Sequence, residues 1–376
     1  MYNYKKGGFL TMNYGQLSKI KISGYKSIKE CDLKLNNINV LIGSNGAGKS
    51  NFISAFNLLQ SVLKKSLQLY TQQTGVNSIF YNGRKITDQI YFEVFFEENS
   101  YGFYLIPTDD NRIIFQEEFY GWGKSPDSVK FTVASAHEES RWDKVVPNGI
   151  DGHVKPILQQ NMWRVYHFHD TSRTAKVKQE HNISNNKSLM FDAANLAAFL
   201  YRLKHNYTKS YNEIVETIRL IAPYFDDFIL EPQERNAEVI VLKWHQKGCE
   251  DIFNASQLSD GTLRFICLTT LLLQPDTLQP ATIIVDEPEL GLHPYAITMF
   301  AEMVKQVSAQ KQVIISTQSV ELLNEFDVED VVVVNKDSNG ATSFRRLDEE
   351  SLKIWLDDYS LGDLWQKNIL GGRLSK

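Results

Sequence analysis

Apolar and polar positions alternate through residues 19–28 (KIKISGYKSI) and 29–36 (KECDLKLN), the period of two expected of half-buried strands, and residues 37–43 (NINVLIG) read as a short apolar strand. The apolar residues of 51–69 recur at helical spacing, so strand, glycine-rich turn and helix follow in that order. Between about Val76 and Ala134, the runs QIYFEVFFEE, YGFYLIP, NRIIFQEEFY and VKFTVAS are separated by Asn, Gly, Asp and Pro, which predicts an antiparallel meander. From about Pro156 to Phe228 the pattern is helical, clearest in DAANLAAFLYRLKH and YNEIVETIRLIAPYF, with Pro223 marking a final turn or kink. AEVIVLKWH then returns to strand character. From Gln257 onward helices (GTLRFICLTTLLL, PYAITMFAEMVKQV, SVELLNEF) alternate with strands (TIIVDE, QVIIST, DVVVV), the pattern of a mostly parallel α/β sheet with crossover helices. Residues 18–135 and 231–376 thus read as two parts of one α/β domain, interrupted by a mixed, largely helical insertion at 136–230. Residues 1–17 show no periodicity and are expected to be disordered.

Composition narrows the classes. The 376 residues carry 40 Lys+Arg and 45 Asp+Glu, a net charge of −5, which argues against a wholly basic nucleic-acid coat and leaves room only for a local basic face. Cys31, Cys249 and Cys267 are too few and too scattered for a disulfide framework or a zinc site, so a reducing cytoplasm is the expected compartment. No run approaches the ~18 apolar residues of a membrane span, and no apolar segment follows the first lysines, so neither secretion nor membrane insertion is expected.

The chemistry concentrates in three segments. Gly43-Ser44-Asn45-Gly46-Ala47-Gly48-Lys49-Ser50 matches G-x-x-x-x-G-K-[ST] in full, placed between a strand and a helix. Its small residues let backbone N–H groups converge on phosphate oxygens at a helix amino terminus. Lys49 is expected to reach the β- and γ-phosphates and Ser50 to ligate Mg²⁺, with Asn45 to Asn51 forming the nucleotide-binding segment. Ile283-Ile284-Val285-Asp286-Glu287 supplies an apolar strand ending in two acids: Asp286 to hold the metal, Glu287 to orient and deprotonate the attacking water. No guanine-reading Asn-Lys-x-Asp occurs, which favours ATP. Gln257 to Arg264 (QLSDGTLR) opens a helix at which Ser259 can cap and Gly261 permits close approach, suited to a second anion contact, although such a helix start is common in any protein.

Together, LIGSNGAGKSN, QLSDGTLR, IIVDEPELGLHP and VIISTQS resemble the ABC-type P-loop ATPase head shared by SMC, RecF and overcoming-lysogenization-defect (OLD) proteins, most nearly the stand-alone bacterial AAA21/AAA15-type ATPases. HFHDTS (167–172) and LWQKNILGG (364–372) resemble that group's secondary hallmarks. The resemblance spans about residues 18–373 and implies two heads meeting face to face with ATP between them. Ser259, Asp260 and Gly261 of one head would then touch the γ-phosphate held by the partner, and Glu289, Leu290, Gly291 and His293 would cross the interface. It also puts Lys26 and Ser27 where the first turn contacts nucleotide, and Gln318 where many such heads carry a switch histidine. A glutamine there donates a neutral hydrogen bond and brings no titratable charge.

Two expectations limit the resemblance. OLD enzymes carry a carboxy-terminal nuclease domain, and the 58 residues after Gln318 (376 − 318) are too few for one, so intrinsic DNA cleavage is not expected. No long heptad run lies between Ser50 and Ser259, which excludes SMC-type arms. Within the insertion, YHFH places His167 and His169 on one strand face beside Asp170, a set able to serve a metal or a phosphate but as often structural. Arg173, Lys176, Lys178, Lys187, Arg202, Lys204 and Lys209 form a basic stretch that suits either a nucleic-acid backbone or a solvated face. The expected function is Mg²⁺-dependent ATP binding and hydrolysis by a homodimer, or a pair with a related head, coupled to nucleic acid or to an effector protein from a neighbouring gene, in anti-phage defence or genome maintenance. The alternative is a slow-hydrolysing, nucleotide-gated scaffold that regulates a separately encoded toxin or effector.

Overall fold

The computed structural model describes residues 15–123, 129–144, 151–159 and 163–371. The expected disordered segment therefore lies mostly outside the described residues; Gln16 and Leu17 are packed, Leu17 through a bond from its N–H to Gln312 Oε1.

Two six-stranded sheets organise the chain. The first is antiparallel, in the order Ile28–Lys34, Lys19–Tyr25, Ile90–Phe96, Asn99–Pro107, Ile113–Trp122, Val129–His137. It contains the expected meander and also the two opening strands, because Lys19–Tyr25 pairs with Ile28–Lys34 on one side and Ile90–Phe96 on the other. The second sheet runs Thr342–Arg346, Val331–Lys336, Ile38–Ile42, Gln312–Thr317, Thr282–Asp286, Trp163–Tyr166, parallel throughout except for the hairpin formed by its first two strands. Its edge strand Trp163–Tyr166 comes from within the 136–230 segment and pairs with the strand that carries Asp286.

Strand alternation sends side chains to two cores. Ile284, Ile314, Leu41 and Val332 face the helix Lys49–Leu63 and, beyond it, the antiparallel sheet. Val285, Ile315, Val40 and Val333 face a layer that includes the helices Leu196–Asn206, Thr208–Ile221, Asp260–Leu273 and Pro294–Ser308. The helix that starts at the glycine-rich loop is thus clamped between two sheets, with Phe52, Ala55, Phe56, Leu58 and Leu59 fully buried.

Several local expectations are corrected. The helix expected through residue 69 stops at Leu63, where Lys65 takes a left-handed φ of 55°, and a separate helix runs Leu67–Thr74. An unbranched side chain such as that of Lys65 meets less steric conflict in this conformation than a β-branched one, and apolar spacing alone does not reveal the break. The meander starts at Ile90, and Val76–Ile79 is a single helical turn. AEVIVLKWH divides between the strands Asn236–Ile240 and Lys243–Gln246, which join different three-stranded sheets. As the sequence predicts from Pro223, the helix Thr208–Ile221 stops with Ala222 as its C-cap. Among the described residues no helix is long and apolar enough to cross a membrane.

Candidate nucleotide site

The strand Ile38–Ile42 ends in the loop 43–48, which turns through left-handed Gly46 (φ 80°) and Gly48 (φ 114°) into the helix beginning at Lys49. Lys49 is 5% exposed and lies across its own loop, its Nζ donating to the carbonyls of Gly43 (2.6 Å) and Ser44 (3.2 Å). Burial lowers its pKa, opposed by the charges of Glu287, Asp286 and Glu289. These three carboxylates therefore lie close enough to act on the ammonium, although they sit more than two hundred residues away in sequence. Two sequence-separated motifs meet because their strands, Ile38–Ile42 and Thr282–Asp286, flank Gln312–Thr317 in one parallel sheet.

At the end of Thr282–Asp286, the carboxylate of Asp286 is largely buried, and its Oδ1 has no hydrogen-bond partner. An unsatisfied buried carboxylate oxygen is the donor chemistry a divalent cation or its water requires. Glu287 follows in a left-handed conformation (φ 43°), an uncommon and strained state for a non-glycine residue, held by a bond from its N–H to the carbonyl of Ser316 (2.8 Å). Gln318, at the end of the neighbouring strand, donates from Nε2 to Glu287 Oε1 at 2.6 Å. Glu289 accepts from Thr317 Oγ1 (2.6 Å) and from the Gln318 N–H (3.2 Å), and burial raises its pKa.

The helix Asp260–Leu273 starts at Ser259, whose Oγ caps the N–H of Thr262 (3.1 Å). Asp260 lies 3.7 Å from the buried Lys178 ammonium. A Cβ on Gly261 would fall 2.3 Å from the carbonyl of Gly291, so this helix start is pressed against the loop that contains Glu289, Leu290, Gly291 and His293. Gly291 takes φ 72° and Leu290 is exposed, while His293 Nδ1 caps the next helix through the N–H of Tyr295 (3.3 Å).

His167 and His169 lie just beyond the edge strand, with ring centroids 5.9 Å apart, and both address Asp286. His167 Nδ1 stands 3.8 Å from Asp286 Oδ2, and His169 Nε2 lies 2.8 Å from the Asp286 carbonyl. Burial lowers the His167 pKa, against the opposing charge of Asp286. Asp170 is exposed and caps the N–H of Ser172 (3.1 Å), a contact that pulls its pKa down. Among the described residues no group of three or more His, Cys, Asp and Glu is arranged to hold a metal, so the trio does not form a separate metal centre. The basic stretch is heavily engaged: Lys176 pairs with Asp192, Lys178 with Asp260 and Lys204 with Asp227, and Arg202 donates to the carbonyls of Asn186 and Lys187.

Two residues at the site were not singled out by sequence. Arg264, 7% exposed, donates from Nε to the Phe168 carbonyl (2.9 Å) and from Nη2 to the His169 carbonyl (3.1 Å), tying the start of the Asp260 helix to the histidine segment. A charged residue inside the apolar run GTLRFICLTTLLL was the available signal. Thr342 contacts the glycine-rich loop from more than 290 residues away, and nothing in its surroundings (GATSFRR) marks it.

A glycine-rich phosphate loop, a strand one removed in the same sheet that leads into Asp-Glu, and a parallel core sheet beside an antiparallel lobe define an ABC-type P-loop ATPase head. Residues 38–324 match the AAA_21 family, described as "AAA domain, putative AbiEii toxin, Type IV TA system", and the chain belongs to that family. The chain is 25% identical over 382 residues to the Old nuclease of Escherichia phage P2, a match that covers 90% of this chain and 62% of that relative. Its fold is that of SMC heads. The head bound to the C-winged helix domain of ScpA superposes with a TM-score of 0.59 at 14% identity, covering 90% of this chain and 99% of that one. The head with an extended coiled coil, bound to the C-terminal domain of ScpA derived from Pyrococcus furiosus, gives 0.54 at 13% identity, covering 91% and 98%.

Proposed function

We propose that the chain is one half of an Mg²⁺-dependent ATPase that closes as a dimer around ATP and uses that closure to drive a partner. The convergence of Lys49, Asp286, Glu287 and Gln318 carries this reading. Lys49 leaves its two loop carbonyls for the β- and γ-phosphates, and the loop N–H groups hold the remaining oxygens. Ser50 and the unpaired Oδ1 of Asp286 fit Mg²⁺, which when bound neutralises charge on the phosphates. Glu287 accepts a proton from the water attacking the γ-phosphorus, its Oε1 steered by the Gln318 amide; the bond from phosphorus to the ADP oxygen breaks as the new one forms. Ser259, Asp260 and Gly261 complete the site of a second head, and the packing of Gly261 on Gly291 links that contact to the Glu287–His293 loop.

The biological setting in this reading is anti-phage defence or genome maintenance, with an effector protein from a neighbouring gene as partner. Direct nucleic-acid binding along residues 173–209 has less support, because Lys176, Lys178 and Lys204 already pair with carboxylates. The slow-hydrolysing scaffold is favoured by one observation: the side chain on Glu287 Oε1 is the neutral amide of Gln318, which brings no charge to a γ-phosphate. Light scattering with and without ATP tests the dimer, and single-turnover hydrolysis separates the two readings. An ATP-independent monomer would overturn the first. Hydrolysis far slower than dimer closure would select the second.

A further inference from the structure

The hairpin of Val331–Lys336 and Thr342–Arg346 underlies both ends of the phosphate loop. A Cβ on Gly43 would fall 2.5 Å from the Val334 carbonyl, and one on Gly48 only 2.1 Å from Thr342 Oγ1. Thr342 is 3% exposed, and its Oγ1 donates to the Ala47 carbonyl at 3.0 Å. The same oxygen lies 2.7 Å from Ser27 Oγ, to which Asn51 Nδ2 donates at 2.7 Å, while the Thr342 N–H bonds the Ser27 carbonyl at 2.7 Å.

Proton counting sets the direction of this chain. A hydroxyl has one proton, and that of Thr342 is given to Ala47, so Ser27 donates to Thr342 and Asn51 donates to Ser27. We infer that Thr342, oriented by Ser27, is a positioning residue for nucleotide binding. In a planar trans peptide the C=O and the following N–H point in opposite directions. Holding the Ala47 carbonyl toward Thr342 therefore turns the Gly48 N–H away from the hairpin, to the side of the loop where phosphate oxygens bind. The relay presets one phosphate donor before nucleotide arrives, and it makes the turn that holds Ser27 and the hairpin parts of the binding loop.

The inference rests on the nucleotide site proposed above, and the test separates the two. Nucleotide affinity would be measured by calorimetry, and thermal unfolding in parallel, for the parent and for Lys49→Ala, Thr342→Val, Thr342→Ser and Ser27→Ala. Thr342→Val keeps the shape and removes the hydroxyl; a loss of affinity of about tenfold is expected, the size of one preset hydrogen bond. Thr342→Ser should bind within about twofold of the parent, and Ser27→Ala should fall between. A purely structural role would lower the melting temperature and leave the affinity of the folded protein intact. Parent-like affinity in Thr342→Val, or in Ser27→Ala should the valine variant not fold, overturns the inference if Lys49→Ala has lost binding. Unchanged affinity in Lys49→Ala overturns the nucleotide site itself.

Discussion

Gln318 Nε2 and Glu287 Oε1 are 2.6 Å apart, joining the ends of two adjacent parallel strands by a neutral amide on the residue proposed as base. The amide fixes one carboxylate oxygen without adding charge. Gln318→Ala should therefore slow single-turnover hydrolysis by about tenfold or more while nucleotide affinity changes by less than about threefold, because the contact serves the transition state. Gln318→His should retain activity equal to the parent's or higher. Parent-like rates and affinity in the alanine variant would return Gln318 to a residue that merely ends a buried strand.

Glu287→Gln keeps the shape of the side chain and cannot take up the water proton. ATP binding should persist, hydrolysis should fall by about a hundredfold or more, and an ATP-bound dimer should accumulate in light scattering. Normal turnover in this variant would remove Glu287 as the base.

Trans completion of the site predicts complementation. Ser259→Arg should bind nucleotide as a single chain yet fail to associate or hydrolyse, and Lys49→Ala should fail to bind. Mixed dimers place both lesions in one composite site and leave the other intact, so activity should recover toward about one quarter of the parent's in an equimolar, freely exchanging mixture. Absence of recovery in heterodimers verified by mass would place the Ser259 contact within one chain.

Asp330 offers a stability test remote from the site. Burial, reinforced by the neighbouring Asp327, lifts its carboxyl from 3.8 to about 6. A raised carboxyl stabilises the fold fully below 3.8, and that contribution is lost as pH rises through about 6. Asp330→Asn, which stays neutral, should show a growing advantage from pH 5 to pH 8, about 1 kcal/mol after allowance for solvent screening. Denaturant melts at both values read it; an advantage that shrinks with pH contradicts the sign.

Much of the fold was legible along the chain because local periodicity is set by local geometry. The glycine loop had to stand between the strand Ile38–Ile42 and the helix Lys49–Leu63, and the Asp-Glu pair had to end an apolar strand, since both motifs work only at such junctions. The ABC-type head followed from those motifs in combination, and the family and fold comparisons agree. Tertiary structure alone decided what meets across sequence. The edge strand Trp163–Tyr166 carries His167 and His169 to Asp286 because it pairs with Thr282–Asp286, an adjacency that four apolar and polar letters cannot encode. Arg264 became a tie between segments 95 and 96 residues apart, and Thr342 a support for Ala47 and Gly48, because folding buried their polar groups beside those backbone carbonyls. Periodicity records which side of an element faces the core; it carries no record of which distant element will lie there.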